Sequence, residues 1–104
     1  MATAQLCRGF SASGANWRCD PAGQSVTPGT ITFYTRVRSP SETTVIHRWL
    51  QGATVRQSVM LRVQANTTEG YRTYSRLTLE EGNWRMEVRR EDGSLLHEQR
   101  LTVR

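Results

Sequence analysis

The stretch Thr43–Leu50, T-T-V-I-H-R-W-L, decides the fold class of this chain. Its β-branched and aromatic residues favour an extended strand, in which successive side chains point to opposite faces. Val45, His47 and Trp49 therefore share one face of that strand. An imidazole between two large apolar groups needs a hydrogen-bond partner inside the fold. The stretch thus predicts a buried strand that carries His47 and Trp49 in the core of a β domain.

Alternating runs of this kind recur along the chain, with turn residues between them. Besides Thr43–Leu50, the sequence predicts strands over Ala2–Phe10, Thr30–Arg38, Thr54–Val63, Gly70–Leu79, Trp84–Arg90 and Ser94–Val103. The Gly-, Ser- and Pro-rich residues 11–29 and the run A-N-T-T-E-G at 65–70 are predicted as loops. Seven short strands predict a single domain over residues 1–104, an all-β, immunoglobulin-like antiparallel β-sandwich, with a small barrel as the alternative.

Three local signals refine this arrangement. The short break Ser39-Pro40-Ser41 predicts that the strands before and after it are neighbours joined by a turn. Asp92-Gly93 predicts a hairpin with a tight primed turn. The last strand needs a bulge to bring its apolar side chains onto one face. We expect the Trp49 strand in the middle of one sheet and Trp84 in the core.

Composition narrows the class of partner. The formal net charge is +5, and all fourteen basic residues are arginine. A basic chain favours anionic partners, and the arginine bias fits either forked recognition of phosphate and carboxylate or a preference for arginine codons. The arginines are scattered among nine acidic residues, whereas nucleic-acid footprints are clustered. We therefore expect a protein or a glycan as partner rather than nucleic acid.

The two cysteines, Cys7 and Cys19, have eleven residues between them. This spacing lacks the Cys-x-x-Cys pattern of zinc and redox sites, and His47 and His97 lie far away in sequence, so a metal site has little support. A disulfide that closes the first loop is the preferred prediction. It would stabilise the fold by roughly 3 kcal/mol and imply an oxidising compartment. Two unpaired thiols in a cytosolic protein are the alternative.

Residues capable of acid–base chemistry are present, but no catalytic motif surrounds them. His47 is the first candidate because histidine in general titrates near neutrality, yet the potential nucleophile Ser75 lacks a G-x-S-x-G context. We instead expect His47 to bond a backbone carbonyl or a hydroxyl, with Thr73 and Ser75 as candidates. Glu80-Glu81 point apart at a strand end, which predicts a solvated turn rather than a glycosidase pair. The sequence predicts no enzyme activity and no cofactor.

One set of aromatic and arginine side chains forms the candidate binding face. If Thr30–Arg38 and Gly70–Leu79 pair, guanidinium groups stack on phenol rings on one outer face. This ladder either keeps the sheet surface solvated or serves as a platform for an acidic sugar polymer or a protein, and less readily for single-stranded nucleic acid. Trp17 either packs over the proposed disulfide or contacts a ligand. The candidate ligand-binding residues are Trp17, Tyr34, Arg36, Arg38, Arg72, Tyr74 and Arg76.

Five motifs carry a family resemblance: H-R-W at 47–49, Y-R-T-Y-S at 71–75, G-N-W-R-M-E-V at 82–88, D-G-S-L-L at 92–96 and L-T-V at 101–103. In this order they resemble the bacterial domain-of-unknown-function family 2914, whose pattern has T-x-x-H-R-W, W-R-T-W-S, G-x-W-R-V-E-V, D-G-x-x-L and F-x-V. The resemblance covers roughly Thr30 to Val103. Tyr71 and Tyr74 replace tryptophans, and the segment with the cysteines fits less well. It implies a compact β domain at the C-terminal end of longer bacterial proteins, often with membrane segments, and brings no known reaction or catalytic residue.

These observations predict a non-catalytic binding or accessory module of a periplasmic, cell-envelope or secreted bacterial protein, with protein–protein interaction as its role. A carbohydrate-binding module for an acidic polysaccharide is the alternative. A protein-binding module predicts an apolar or mixed patch on a sheet edge, whereas a carbohydrate-binding module predicts exposed rings. No apolar run approaches the roughly 18 residues that cross a bilayer, and the first residues lack a signal-peptide pattern, so we expect no membrane insertion by this domain.

Overall fold

The computed structural model describes residues 3–104, which form two packed β-sheets and no helix. The strands are β1 (Thr3–Ser13), β2 (Asn16–Pro21), β3 (Ser25–Val26), β4 (Gly29–Ser39), β5 (Thr43–Gln51), β6 (Thr54–Val63), β7 (Asn66–Leu79), β8 (Gly82–Arg90) and β9 (Leu95–Val103). One sheet has the order β2-β1-β4-β7 and the other the order β3-β9-β8-β5-β6. Neighbouring strands are antiparallel, except that the short β3 runs parallel to β9.

The predicted all-β sandwich is confirmed. The orders β1-β4-β7 and β9-β8-β5-β6 correspond to strands A-B-E and G-F-C-C′ of an immunoglobulin-like sandwich. The Trp49 strand, β5, was expected in the middle of its sheet; it is an interior strand between β8 and β6, but the middle strand is β8. No described residue belongs to a helix that could span a bilayer.

The core lies between the two sheets because each central strand alternates apolar and polar side chains. From β5 and β8, Trp49, Trp84 and Met86 point inward and are fully buried. Phe33 of β4 meets Trp49 edge-on, with ring centroids 6.2 Å apart. The core placement predicted for Trp49 and Trp84 is therefore observed.

The prediction of a loop over residues 11–29 is wrong, and residues 3–104 contain nine strands rather than about seven. β1 continues to Ser13 and pairs with β2, with Phe10 opposite Cys19 and Ala12 opposite Trp17. Gly14 supplies the positive φ of 60° that the connecting turn uses. The Gly- and Ser-rich composition hid this hairpin because its stability comes from packing against the sheet rather than from strand propensity.

The structure also corrects two other boundaries. β4 and β5 are not paired neighbours but belong to different sheets, because the chain crosses between the sheets at Pro40, which has no N–H group to continue a ladder. The predicted link at 65–70 is instead the start of β7, which begins at Asn66. The side chain of Asn66 accepts hydrogen bonds from the N–H groups of Thr68 and Gly70, at 3.1 Å each, and so satisfies backbone donors at the start of this strand.

The hairpin predicted at Asp92-Gly93 is confirmed, but its turn is of another type. Within this turn only Gly93 has a positive φ, of 91°, whereas a two-residue primed type I turn needs positive φ at both central positions. The Gly93 N–H donates to the Arg90 carbonyl, and the Asp92 carboxylate accepts the Ser94 N–H, both at 2.9 Å. The predicted bulge in β9 is also present, since Val88 lies opposite His97 and Arg89 opposite Leu95.

The predicted disulfide between Cys7 and Cys19 is present and joins β1 to β2. Replacing both cysteines by serine is expected to lower the free energy of unfolding by about 3 kcal/mol, because the bond restricts the unfolded chain. Urea unfolding of the wild type and the double variant measures the difference. Thiol titration of the unfolded, unreduced wild type is expected to detect no free thiol. Two reactive thiols would contradict the disulfide.

Candidate functional site

A chain of buried polar groups crosses the sandwich at His47. Its Nδ1 lies 2.7 Å from the Ser75 hydroxyl of β7, and its Nε2 lies 3.0 Å from the Thr35 hydroxyl of β4. Thr35 continues the chain to Thr73, at 2.8 Å. The Trp49 indole N–H donates to the same Ser75 hydroxyl at 3.0 Å. Ser75 is thus confirmed as a hydrogen-bond partner of His47. Thr73 does not contact His47 directly but hydrogen-bonds to Thr35, the second partner of His47, which we did not predict.

Burial keeps the His47 imidazole neutral. The side chain has 0% exposure, and burial lowers the pKa of His47 to about 3 because the charged form loses its hydration. In a neutral imidazole one ring nitrogen donates and the other accepts, so the Ser75 and Thr35 hydroxyls satisfy both. The pair has the spacing of a base and a nucleophile, but it lies in the core, where His47 acts as a structural cross-link between the sheets.

The outer face of the four-stranded sheet carries an aromatic cluster. Tyr34 and Tyr74 are register partners on β4 and β7, as the ladder prediction required. Phe10 and Trp17, from the β1–β2 hairpin, pack against both rings, with centroid distances of 5.0–5.6 Å. Phe10 was not predicted to take part. The hairpin therefore covers the face that the sequence analysis expected to be an open platform.

The arginines of this face hold the hairpin and the rings in place. Arg72 lies over the Trp17 ring at 5.8 Å and donates to the Ala15 carbonyl of the hairpin turn at 2.8 Å. Arg76 lies over Tyr74 at 5.1 Å. The Arg36 Nε–H donates to the Tyr34 hydroxyl at 3.3 Å, a bond that raises the pKa of Arg36.

The remaining members of the predicted binding set differ in exposure. The Arg38 side chain is exposed and its Nε–H donates to the Thr68 carbonyl at 2.8 Å. Trp17 is half-buried and packs on the tyrosines. Tyr34 is only 7% exposed, so its ring is covered rather than presented to solvent. The structure thus brings the predicted residues together, but mainly as a packed layer between the sheet and the hairpin.

The outer face of the five-stranded sheet is not covered by any described segment, and we call it the open face. Among residues 3–104, the exposed large apolar side chains are Val55, Met60 and Leu95, at 43%, 65% and 47% exposure. All three lie on this face by register: Val55 pairs with Leu50, Met60 with Ile46 and Leu95 with Arg89. Leu50 is buried on the open face and does not belong to the core cluster.

Glu87 lies at the centre of the open face, surrounded by arginines. Its carboxylate accepts two hydrogen bonds from Arg89, at 2.9 and 3.1 Å. Arg85 and Arg48 approach it at 3.7 and 3.9 Å. The Arg89 hydrogen bond, with the charges of the three arginines, lowers the pKa of Glu87 against the opposing effect of burial. Glu87 is only 3% exposed although it is on an outer face, because the guanidinium groups cover it.

The sequence of the region that contains most of the open face matches a known family. The model of the family described as "Protein of unknown function (DUF2914)" matches residues 42–103. This chain belongs to that family. The match runs from just before β5 to the end of β9, so it includes His47 and four of the five strands of the open face, and it leaves out β3 and the β1–β2 hairpin with both cysteines. A search of curated proteins finds no match.

Some residues of the motifs that carried the DUF2914 resemblance belong to two polar clusters of the structure. Among the inward residues, His47, Trp49, Thr73 and Ser75 belong to the buried polar chain. Among the outward residues, Arg48, Arg85 and Glu87 belong to the ion cluster of the open face. We did not predict this ion cluster from the sequence. The sequence feature that could have predicted the cluster is the alternation R-x-E-x-R at 85–89, which places these charged side chains on one face of the strand.

Residues that could hold a metal ion do not converge in the part of the chain that the structure describes. No group of three His, Cys, Asp or Glu side chains there is close enough to share a cation. The Glu87 carboxylate is already surrounded by arginines. The exposed chemistry of the open face of this DUF2914 member consists of apolar side chains and guanidinium groups.

Proposed function

We propose that this DUF2914 domain is a non-catalytic binding module that holds a partner protein on the open face. The observation that carries the proposal is the position of Val55, Met60 and Leu95, the exposed large apolar side chains of residues 3–104, on one sheet face. Exposed apolar groups that share a face with arginines are typical of protein interfaces, where Met and Arg are enriched.

The difference between the two outer faces supports the same proposal. The molecule covers the outer face of its four-stranded sheet with Phe10 and Trp17 of its own hairpin. The open face has no equivalent cover among the described residues, and Met60 is 65% exposed there. A partner that packs on this face would remove that apolar surface from water, which is the main favourable term in most protein association.

The non-catalytic and extracytoplasmic parts of the proposal rest on two further observations. The Ser75 and His47 pair, the obvious candidate for a nucleophile and its base, is buried in the core, where solvent-borne molecules do not reach it. The Cys7–Cys19 disulfide is compatible with an oxidising compartment. We therefore place the module in a periplasmic, cell-envelope or secreted protein of a bacterium.

Binding of an acidic polysaccharide to the Tyr and Arg side chains of the other sheet is the second candidate function. Arg36, Arg38, Arg72 and Arg76 give that face a positive charge, and Trp17 is half-exposed. Sugar rings stack on exposed aromatic faces, however, whereas Tyr34 and Tyr74 stack on Phe10 and Trp17. This packing favours the protein-binding proposal.

Met60→Glu is expected to weaken partner binding at least tenfold, because it places a charge in the centre of an apolar contact. The partner is purified from the envelope extract of a bacterium that encodes the chain. Its dissociation constant is then measured on the immobilised wild type and on the immobilised variant. Thermal stability should stay close to that of the wild type, since Met60 is an exposed side chain.

Thr78→Glu is the matched control, because Thr78 is an exposed β7 residue on the outer face of the other sheet. It should bind like the wild type. Equal binding by all three proteins, or loss of binding in Thr78→Glu alone, would show that the open face is not the binding surface.

A further inference from the structure

On the basis of the proposed protein-binding function, we propose that the partner docks an acidic segment on the open face. In this arrangement its Asp or Glu carboxylates bind the guanidinium groups of Arg48 and Arg85.

The three arginines around Glu87 are not equivalent. Arg89 is fully engaged, since it forks onto both carboxylate oxygens and also donates to the Gly93 carbonyl at 2.6 Å. Arg48 and Arg85 lie 3.9 and 3.7 Å from the same carboxylate, which is beyond hydrogen-bond length. Within residues 3–104 neither of them donates a side-chain hydrogen bond to another residue.

Arg85 shows most clearly that hydrogen-bond capacity is left over. Its Nε atom is buried and has no partner among the described residues, although buried donors are nearly always paired. The Arg85 and Arg48 side chains as a whole are each about one-third exposed, so both reach the surface of the open face. Each presents a fork of N–H donors that matches a carboxylate.

The register places these two groups close together. Arg48 lies opposite Glu87 and Leu50 lies opposite Arg85, so Arg48 and Arg85 are diagonal neighbours on adjacent strands. Arg100 is the register partner of Arg85 on β9. Near Glu87 on the open face, four arginines, Arg48, Arg85, Arg89 and Arg100, therefore accompany two glutamates, Glu87 and Glu98. Arg62 also lies on this face, opposite Thr44, and is paired with Glu42 at 3.5 Å. The excess positive charge around Glu87 favours an anionic ligand.

The apolar surroundings favour an acidic protein segment over a polysaccharide or inorganic phosphate. Leu50 lies in the same row as Arg85, and the exposed side chains of Val55 and Met60 are on the neighbouring edge strand. A segment that alternates acidic and apolar residues would satisfy the arginines and cover this edge at the same time. A fully charged polymer would leave the edge uncovered.

The test uses a fluorescein-labelled decapeptide of alternating Glu and Leu, with the Gln–Leu peptide as reference, and measures binding by fluorescence anisotropy. The wild type is expected to bind the Glu peptide at least tenfold more tightly than the Gln peptide. Arg48→Gln and Arg85→Gln should each weaken binding of the Glu peptide about tenfold, the effect of losing one charge-assisted contact. Arg48→Lys keeps the charge beside Glu87 but loses the fork, and should also weaken binding.

Arg18→Gln is the matched control, because it removes the same charge from an exposed arginine of β2, away from the open face. Equal weakening by Arg18→Gln and Arg48→Gln would mean non-specific attraction and overturn the proposal, as would stronger binding to heparin that also depends on Arg48 and Arg85. If Met60→Glu weakens partner binding while Arg48→Gln and Arg85→Gln do not, the protein-binding function stands and the acidic-segment proposal fails.

Discussion

Ser75→Ala is expected to lower the free energy of unfolding by about 2–6 kcal/mol, although it removes a single oxygen atom. That oxygen is the shared partner of the His47 Nδ1 and the Trp49 indole N–H. The variant would leave both polar groups buried without a partner, and each unpaired group costs about 1–3 kcal/mol. Urea unfolding at pH 7 measures the loss.

Thr78→Ala is the control for this variant, because it removes a hydroxyl from the same strand on the exposed face, where Thr78 contacts Thr30. We expect it to change the free energy of unfolding by less than about 1 kcal/mol. The cost of Ser75→Ala should also be smaller in a Trp49→Phe background, which has one fewer donor to satisfy. A Ser75→Ala protein as stable as the wild type would show that the buried polar chain of hydrogen-bonded side chains does not stabilise the packing of the two sheets.

The second large effect is a loss of stability in acid caused by His47. Its folded-state pKa of about 3 lies below the ordinary value of 6.5, so the unfolded chain binds more protons below pH 6.5. The stabilisation is therefore complete above pH 6.5 and is lost as the pH falls toward 3, at up to about 1.4 kcal/mol per pH unit. Between pH 7 and 5.5 the free energy of unfolding is expected to fall by about 1 kcal/mol.

The window from pH 7 to 5.5 isolates His47 from the carboxylates. The lowered pKa of Glu87 also adds stability, but that contribution is lost only below its ordinary value of 4.5. His47→Gln should remove the pH dependence within the window. Independently, the His47 ring signals of the folded wild type should not titrate in NMR spectra between pH 7 and 5. An imidazole that titrates there would refute its burial.

The alternation of side chains predicted much of the fold. T-T-V-I-H-R-W-L places His47 and Trp49 on one face, and a core with two packed sheets is the arrangement that buries both. The same reasoning placed Tyr34 and Tyr74 on one outer face if their strands pair, and the structure makes them register partners. It failed for residues 11–29, where few apolar side chains mark the hairpin and the packing of Phe10 and Trp17 decides the structure.

The candidate site was less predictable from the sequence. Arg48, Arg85 and Glu87 were readable as outward residues of their strands, but their meeting depends on β5 and β8 being neighbours with Arg48 opposite Glu87. The crossing of the chain between sheets at Pro40 fixes which strands are neighbours, and the sequence analysis had placed β4 beside β5 instead.

The sequence by itself determined most of the strands and the side of each of them that faces the core, and it favoured the disulfide, because alternation and spacing are properties of neighbouring residues. Only the tertiary structure decided that the Tyr34 face is covered by a hairpin while the Met60 face is left open. Whether an outer face is covered depends on segments distant in sequence. The alternation of apolar and polar residues within a strand is the same whether its outer face is covered or open.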